Sequence, residues 1–197
     1  MADEVRERPG VGQVSAPLLP VALMIVVMWG EELLDTALDG RLDRFGIRPR
    51  QVDGLDGIIF APLLHNGFGH LIANTLPFAL MGSAIALEGA RRFLQVTVIV
   101  GLFSGVGTWL TGPPNSVHIG ASGLVFGYLT YLISRGLFAH RVSYLIGGVV
   151  TFLVYGGVLW GLLPQPGVSW QGHVFGAAGG VLAAFVIHTD RSDDDDA

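Results

Sequence analysis

Long apolar runs, separated by short polar or proline-containing segments, make up most of the chain. Each run has at least seventeen residues, about the length at which a helix crosses the hydrocarbon core of a bilayer. The six predicted spans are residues 16–38, 69–87, 93–110, 121–137, 142–163 and 170–188. Spans in lipid must be helical because the bilayer offers the backbone no hydrogen-bond partners. The pattern predicts an all-α, polytopic membrane protein with six transmembrane helices.

Polar segments lie at both ends and between the first two spans. Residues 1–15 are predicted to form a disordered tail and residues 189–197 an acidic one, so the membrane domain is residues 16–188. The connection 39–67 becomes apolar again at 58–64. We expect it to contain short helices on the membrane surface, because a connection of this length is seldom without structure.

The chain has eleven arginines and no lysine, and the positions of the arginines predict its orientation. One side of the predicted bundle carries Arg6, Arg8, Arg91, Arg92, Arg135, Arg141 and Arg191. The two short loops on the other side have no arginine, and the long first connection has four. Short loops have the most influence on orientation. Both termini are therefore expected in the cytoplasm, in a multi-pass protein of the cell (inner) membrane.

The composition excludes several classes of function. Hydrophobic residues make up 51% and charged residues 14% of the chain, which is too apolar for a soluble domain. With no cysteine, thiol catalysis, disulfides and thiolate metal sites are excluded. The arginines form no basic stripe, so no nucleic-acid partner is expected. Membrane lipid is the expected surroundings, and nothing in the sequence predicts an oligomeric state.

Four of the polar side chains inside the predicted spans are candidates for chemistry, and all four lie in the outer half of their helices: His70, Asn74, Ser122 and His173. Polar groups at this depth are costly and are candidates for function. A serine hydroxyl and an imidazole within hydrogen-bond distance can act as nucleophile and general base. The alternatives are a serine bonded back to its own helix and a histidine with a purely structural role.

Small residues line the face of the last span that carries His173. They are Gly176, Ala177 and Gly180, and the fourth span offers Gly123 and Gly127. Small residues at this spacing let two helices approach closely, so Ser122 and His173 are expected to meet. No Asp or Glu lies inside the last four spans, so a dyad is expected rather than a triad. Phe126 is expected either to stack on the imidazole or to pack in the core.

His70 and Asn74 are four residues apart and share one helix face. Two such donors suit the stabilisation of an oxyanion, and the alternative is hydrogen bonding between helices. His65 precedes His70 by five residues, whereas a zinc-binding HExxH motif needs a spacing of four and a glutamate. We therefore expect no metal site, and we expect His65 to anchor the loop or a water molecule.

Taken together, these residues resemble those of the rhomboid intramembrane serine proteases over residues 16–188. The resemblance lies in three motifs: His65-x4-His70-x3-Asn74, Gly120-Ala121-Ser122-Gly123 and His173-x2-Gly176-x3-Gly180. Each motif is weak alone, but the three in this order and on these helices are specific. Family members often have tyrosine at the position of Phe126, and the Trp-Arg pair common in their first loop is missing here.

The resemblance implies a six-helix bundle of the minimal bacterial type that cleaves transmembrane helices of other proteins without a cofactor. Ser122 would be the nucleophile and His173 the general base, and His70, Asn74 and the Ser122 backbone N–H would form the oxyanion hole. The first loop would lie partly in the membrane, and residues 142–170 would control lateral access of the substrate. A catalytically silent relative that binds transmembrane clients as a chaperone or adaptor is the alternative. A proton-coupled transporter is a third reading, although paired repeats and intramembrane carboxylates are absent from the sequence.

Overall fold

The structure is a computed structural model that describes residues 16–189. Seven α-helices follow one another: α1 (Leu19–Ala37), α2 (Gly57–Phe60), α3 (Phe68–Ala86), α4 (Ala90–Thr111), α5 (Ser122–Phe138), α6 (Val142–Tyr155) and α7 (Trp170–Thr189). Short 3-10 helices lie at Ala16–Leu18, Asp43–Phe45, Val52–Gly54 and Gly156–Leu162. The described part of the chain has no β-strand, so the all-α prediction is confirmed. Both predicted tails lie outside it, except for Thr189.

Within residues 16–189, four helical segments are long and apolar enough to cross a membrane: Phe68–Ala86, Ala90–Thr111, Val142–Leu162 and Trp170–Thr189. Six spans were predicted, and two helices do not meet these criteria. Helix α1 carries Glu31, Glu32 and Asp35 near its C-terminus, and α5 has only 17 residues. A helix of that length reaches about 26 Å. The predicted count of six is therefore not confirmed.

Helix α5 lies at the centre of the fold and packs against α3, α4, α6 and α7. Its Tyr128 ring is fully buried between Phe78 of α3 and Phe93 of α4, with ring centroids 5.5 and 5.8 Å away. The Tyr128 hydroxyl shares a 2.7 Å hydrogen bond with the Thr97 hydroxyl. A buried hydroxyl without a hydrogen-bond partner would destabilise the fold. The bond to Thr97 offsets the cost of burying the Tyr128 hydroxyl in the core.

Glycines bring the backbones of α5 and α7 into direct contact, as the small-residue pattern predicts. A side-chain carbon on Gly176 would overlap the carbonyl oxygen of Gly123, and one on Gly180 would overlap that of Gly127. One turn further along, the Thr130 hydroxyl donates a 2.7 Å hydrogen bond to the Ala177 carbonyl. This contact sets the relative position of the first turns of α5 and α7.

The first connection contains short helices, as expected, and it packs on the loop that precedes α5. Ile47 and His118 form an isolated antiparallel bridge whose two N–H···O distances are both 2.9 Å. The Trp109 indole donates to the Gln51 carbonyl at 2.9 Å. The Arg50 guanidinium donates to two carbonyls at the C-terminus of α4. These bonds fix the loop that leads into Ser122.

Candidate active site

A tight turn at Gly120 leads into Ser122, the first residue of α5. Gly120 has a φ of +115°, a conformation that residues with a Cβ rarely adopt. A Cβ at this position would also lie 2.6 Å from Cε1 of His70. The Gly120 N–H donates to the Ala61 carbonyl at 2.8 Å. Only glycine satisfies both the backbone angle and the approach of His70, so this residue determines where α5 begins.

Ser122 and His173 are in direct contact across the α5–α7 interface. Ser122 Oγ lies 2.8 Å from His173 Nε2, although the two residues are 51 positions apart in the sequence. His173 lies in the first turn of α7 and is 7% exposed, whereas Ser122 is only partly buried. A hydroxyl and an imidazole in this geometry can exchange a proton.

The second ring nitrogen of His173 contacts the main chain rather than a carboxylate. Its Nδ1 lies 2.7 Å from the carbonyl oxygen of Gly161. A carbonyl only accepts hydrogen bonds, so Nδ1 carries the hydrogen and Nε2 is left as the acceptor facing Ser122. The Phe126 ring stacks on the imidazole with centroids 4.2 Å apart and planes inclined by 11°. The contact with Gly161 could not be predicted from the sequence, because every residue type has a backbone carbonyl.

His70 lies beside the turn that precedes Ser122. The Asn66 N–H donates to His70 Nδ1 at 3.4 Å, so the hydrogen of the neutral ring is on Nε2, which lies against Gly120. Asn74 is 6% exposed, and its side-chain amide donates at 3.0 Å to the His70 carbonyl in its own helix. An amide NH₂ has two hydrogens, so the second one remains for another acceptor.

His65 is fully buried and holds the same turn from behind. The Ala121 N–H donates to its Nε2 at 3.4 Å, and its Nδ1 lies 3.3 Å from the Leu63 carbonyl. Burial and the neighbouring His70 lower the pKa of His65 to about 4, against the opposing effect of the Leu63 carbonyl. A neutral ring can donate at Nδ1 and accept at Nε2, as both contacts require. These two contacts join His65 to Ala121 in the turn and to the main chain of Leu63.

A small cavity of about 30 Å³ lies behind Ser122 and is lined by Ser104, Thr108 and Gly172 among others. The Ser104 hydroxyl donates to the Gly172 carbonyl at 2.8 Å. The Thr108 hydroxyl is buried and has no hydrogen-bond partner within the described residues. The lining is largely apolar, but it includes the hydroxyls of Ser104 and Thr108, and a cavity of this size has room for a water molecule. Ser104 and Thr108 could not be predicted as site residues from the sequence, because hydroxyl residues are common in membrane helices and their spacing alone is not informative.

A wider pocket of about 870 Å³ opens above the site, between the loop before α5 and the segment before α7. The imidazole of His118 lies at its wall, 2.9 Å from the Ser116 hydroxyl and 2.7 Å from the Ser169 hydroxyl. Burial lowers the pKa of His118. His118 therefore joins the two loops that border the pocket. No feature of the sequence pointed to this contact.

Comparison with known proteins places this chain in a recognised sequence family. Residues 53–190 match the Rhomboid domain. The chain is 46% identical over 176 residues to an uncharacterized protein of Mycobacterium tuberculosis, covering 85% of this chain and 72% of that protein. An uncharacterized protein of Mycobacterium leprae is 44% identical over 176 residues, or 85% and 70% of the two chains. The Rhomboid protease GluP of Bacillus subtilis is 30% identical over 128 residues, or 64% and 24% of the two chains.

Proposed function

The chain belongs to the rhomboid family, and on this basis we propose that it is an intramembrane serine endopeptidase that cleaves transmembrane helices of other proteins. The observation that carries the proposal is the 2.8 Å contact between Ser122 Oγ and His173 Nε2. Because Gly161 holds the hydrogen of the imidazole on Nδ1, Nε2 has a free lone pair for the serine proton. The proposed catalytic pair is a dyad, since no carboxylate bonds to His173 within the described residues.

In the proposed membrane arrangement, α1 and α3 to α7 form a six-helix bundle with both termini in the cytoplasm. Ser122 and His173 then lie near the outer face, because both are in the first turns of helices that start on that side. The short length of α5 agrees with this arrangement, because a helix enclosed by four others does not have to match the thickness of the lipid. Water would reach the site through the wide outer pocket.

Acylation begins when Ser122 Oγ attacks the carbonyl carbon of the scissile peptide bond. His173 Nε2 takes the hydroxyl proton and passes it to the leaving amine as the C–N bond breaks. The negative charge that develops on the carbonyl oxygen is stabilised by donors placed around it. We assign this role to His70 Nε2–H, to the second amide hydrogen of Asn74 and to the backbone N–H of Ser122. The position of His70 against Gly120 supports the assignment.

Deacylation requires a water molecule beside the acyl-enzyme. The cavity behind Ser122 is of the right size to hold that water and includes hydroxyl groups in its largely apolar lining, and the Thr108 hydroxyl would be the hydrogen-bond partner of the water. His173 removes a proton from the water as it attacks the ester carbon, and it returns that proton to Ser122 Oγ when the acyl group leaves. No cofactor or metal takes part in either step.

The small residues of α5 and α7 support the site because they set the distance between the two helices that carry Ser122 and His173. Gly123 and Gly176 let α5 and α7 approach, Gly180 continues the contact, and Phe126 holds the imidazole plane. A helical substrate hides its carbonyls in hydrogen bonds, so it must unwind before attack. We therefore expect cleavage near residues that weaken a helix, such as Gly, Pro or Ser.

The test is cleavage of a purified transmembrane substrate in detergent by the wild type, Ser122→Ala and His173→Ala. We expect cleavage by the wild type only, and labelling of Ser122 by a fluorophosphonate probe that is lost when His173 is replaced. Equal cleavage by all three proteins would refute the proposal. A wild type that binds transmembrane clients but neither cleaves them nor reacts with the probe would instead support the chaperone or adaptor alternative.

A further inference from the structure

The Gly161 carbonyl is the only acceptor that bonds to His173 Nδ1 within residues 16–189, at 2.7 Å. We propose that this carbonyl is the positioning group of the catalytic base and takes the part that a carboxylate plays in a serine-protease triad. The inference rests on the proposed function, because it concerns the same histidine. It adds a backbone atom of another helix to the site.

The carbonyl is available because it lies at the end of a helix. The 3-10 segment Gly156–Leu162 continues α6, and the last carbonyls of any helix have no partner within it. The carbonyl of the preceding residue, Trp160, accepts from the Leu163 N–H and from the Gln165 side chain. The Gly161 carbonyl instead accepts the Nδ1 hydrogen of the imidazole. One bond therefore satisfies an orphan carbonyl and fixes the histidine tautomer.

The absence of a side chain at position 161 makes this bond possible. A Cβ on Gly161 would lie 2.9 Å from Cζ of Phe126 and 3.3 Å from Nδ1 of His173. The imidazole is thus held between the Phe126 ring on one face and the main chain at Gly161 on its edge. Gly157, in the same 3-10 segment, has open space around the corresponding position. Both glycines lie in the same 3-10 segment, and only Gly161 contacts the site, so Gly157 is the control for substitution at Gly161.

The segment that carries the carbonyl has few other attachments. Residues Val142–Leu162 are the least buried of the four candidate spans, with 6% of the span buried. Trp160, next to Gly161, is 72% exposed. A displacement of this end of α6 by about one ångström would break the bond to Nδ1. The tautomer and orientation of the His173 ring therefore depend on the position of the 3-10 segment Gly156–Leu162.

The decisive experiment weakens this one carbonyl without changing any side chain. Replacement of Leu162 by leucic acid, the α-hydroxy analogue of leucine, converts the peptide bond after Gly161 into an ester. The ester makes the Gly161 carbonyl a weaker acceptor and also removes the backbone N–H of residue 162. Leucic acid at Leu159, in the same segment, is the control for general disruption of the backbone. We expect the ester at 162 to lower kcat about tenfold, the effect of one hydrogen bond on the barrier, with KM within about twofold.

A spectroscopic measurement separates positioning from a purely structural role. The ¹⁵N shifts of the His173 ring report which nitrogen carries the hydrogen, and we expect pure Nδ1–H in the wild type and a mixture of tautomers with the ester at 162. Alanine substitutions in the 3-10 segment are a second test. Gly161→Ala is expected to lower kcat at least tenfold, and Gly157→Ala is expected to leave kcat within about twofold of the wild type.

If the esters at 159 and 162 change kcat by the same factor, large or small, the proposal is overturned. Unchanged ¹⁵N shifts of the His173 ring with the ester at 162 would also overturn it. Such a result would leave the proposed function intact as long as Ser122→Ala remains inactive. Cleavage by Ser122→Ala at the wild-type rate would instead remove the proposed function, so the two failures are distinguishable.

Discussion

Gly176 of α7 packs so closely on Gly123 of α5 that a methyl group on Gly176 would overlap the Gly123 carbonyl oxygen. The two overlapping atoms would be the Cβ at position 176 and the Gly123 carbonyl oxygen, and the helix backbone fixes the position of each. The overlap therefore cannot be relieved by a change of rotamer, and any side chain at 176 must separate the helices. Ser122 lies next to Gly123, and His173 lies one turn before Gly176, so the distance between the proposed nucleophile and base depends directly on this contact.

Gly176→Ala is accordingly expected to lower turnover at least a hundredfold and to destabilise the protein by about 1–3 kcal/mol through overpacking. Cleavage of a transmembrane substrate and thermal unfolding in detergent measure the two effects. The control is Gly30→Ala in α1, where a Cβ meets no atom within 4 Å. That variant should be fully active and slightly more stable, because alanine is the better helix former. Wild-type activity in Gly176→Ala would mean that the close helix contact is not required.

Phe126→Leu tests the stacking of the Phe126 ring on His173. The variant keeps an apolar side chain but loses the parallel ring at 4.2 Å, and aromatic pairs contribute about 0.5–1.5 kcal/mol beyond burial. We expect kcat to fall by about two- to tenfold and fluorophosphonate labelling to slow by a similar factor. Phe152→Leu, at a half-exposed position on α6, is the matched control. If both variants keep full activity, Phe126 is a core residue only.

His65→Ala should destabilise the protein by about 1–3 kcal/mol, because it leaves the buried Ala121 N–H without its acceptor. The turn before Ser122 would also loosen, so we expect lower activity in the fraction that remains folded. Thermal unfolding in detergent and cleavage at a temperature well below the transition measure these two effects. Equal transition temperatures for wild type and variant would show that the bond to His65 does not hold the turn.

The same histidine predicts how stability depends on pH. The pKa of His65 is about 4 in the folded protein and close to its ordinary value of 6.5 in the unfolded chain. Between these values the unfolded chain binds more protons, so stability falls as the pH is lowered from 6.5 towards 4. His65→Gln has no group that titrates at this position, so only the wild type loses this part of its stability as the pH is lowered. The difference in transition temperature between wild type and variant should therefore become smaller from pH 6.5 towards pH 4. A constant difference from pH 7.5 to 4.5 would contradict the prediction.

Thr108→Val tests the proposed water site behind Ser122. Valine has the shape of threonine without the hydroxyl, which has no partner in the described structure, so stability should be unchanged or slightly higher. Labelling of Ser122 should also be unchanged, because acylation does not use the water. Deacylation should slow by about tenfold, the effect of one lost hydrogen bond, and a burst of product should precede steady turnover. Slower labelling with no burst would place the effect on acylation instead.

Most of the helices were predictable because each is long and strongly apolar. The predicted span 93–110 became α4, Ala90–Thr111, and the predicted span 170–188 became α7, Trp170–Thr189. The prediction was weaker for 142–163, because Gly156–Leu162 form a 3-10 helix rather than part of α6. Hydropathy is the same for both kinds of helix, so it could not separate them. Yet this difference matters for the site, because it exposes the Gly161 carbonyl to His173.

The expected meeting of Ser122 and His173 rested on a stronger signal. Glycines four residues apart on two helices have little other purpose in a membrane protein than to bring backbones together, and the structure has the two side chains 2.8 Å apart. The surroundings of the pair were less predictable. The cavity hydroxyl of Thr108 and the bond from His118 to Ser169 both come from contacts between segments far apart in the chain.

The sequence by itself determined the helical, membrane-bound character of the protein, the family to which it belongs and the side chains available for chemistry. These depend on hydropathy and residue type, which are local properties. The tertiary structure decided the tautomer of His173, the partner of His65 and the cavity behind Ser122. Each of these depends on backbone carbonyls, backbone N–H groups or empty space. Such features are the same for every residue type until the fold places them, so only the packed arrangement could reveal them.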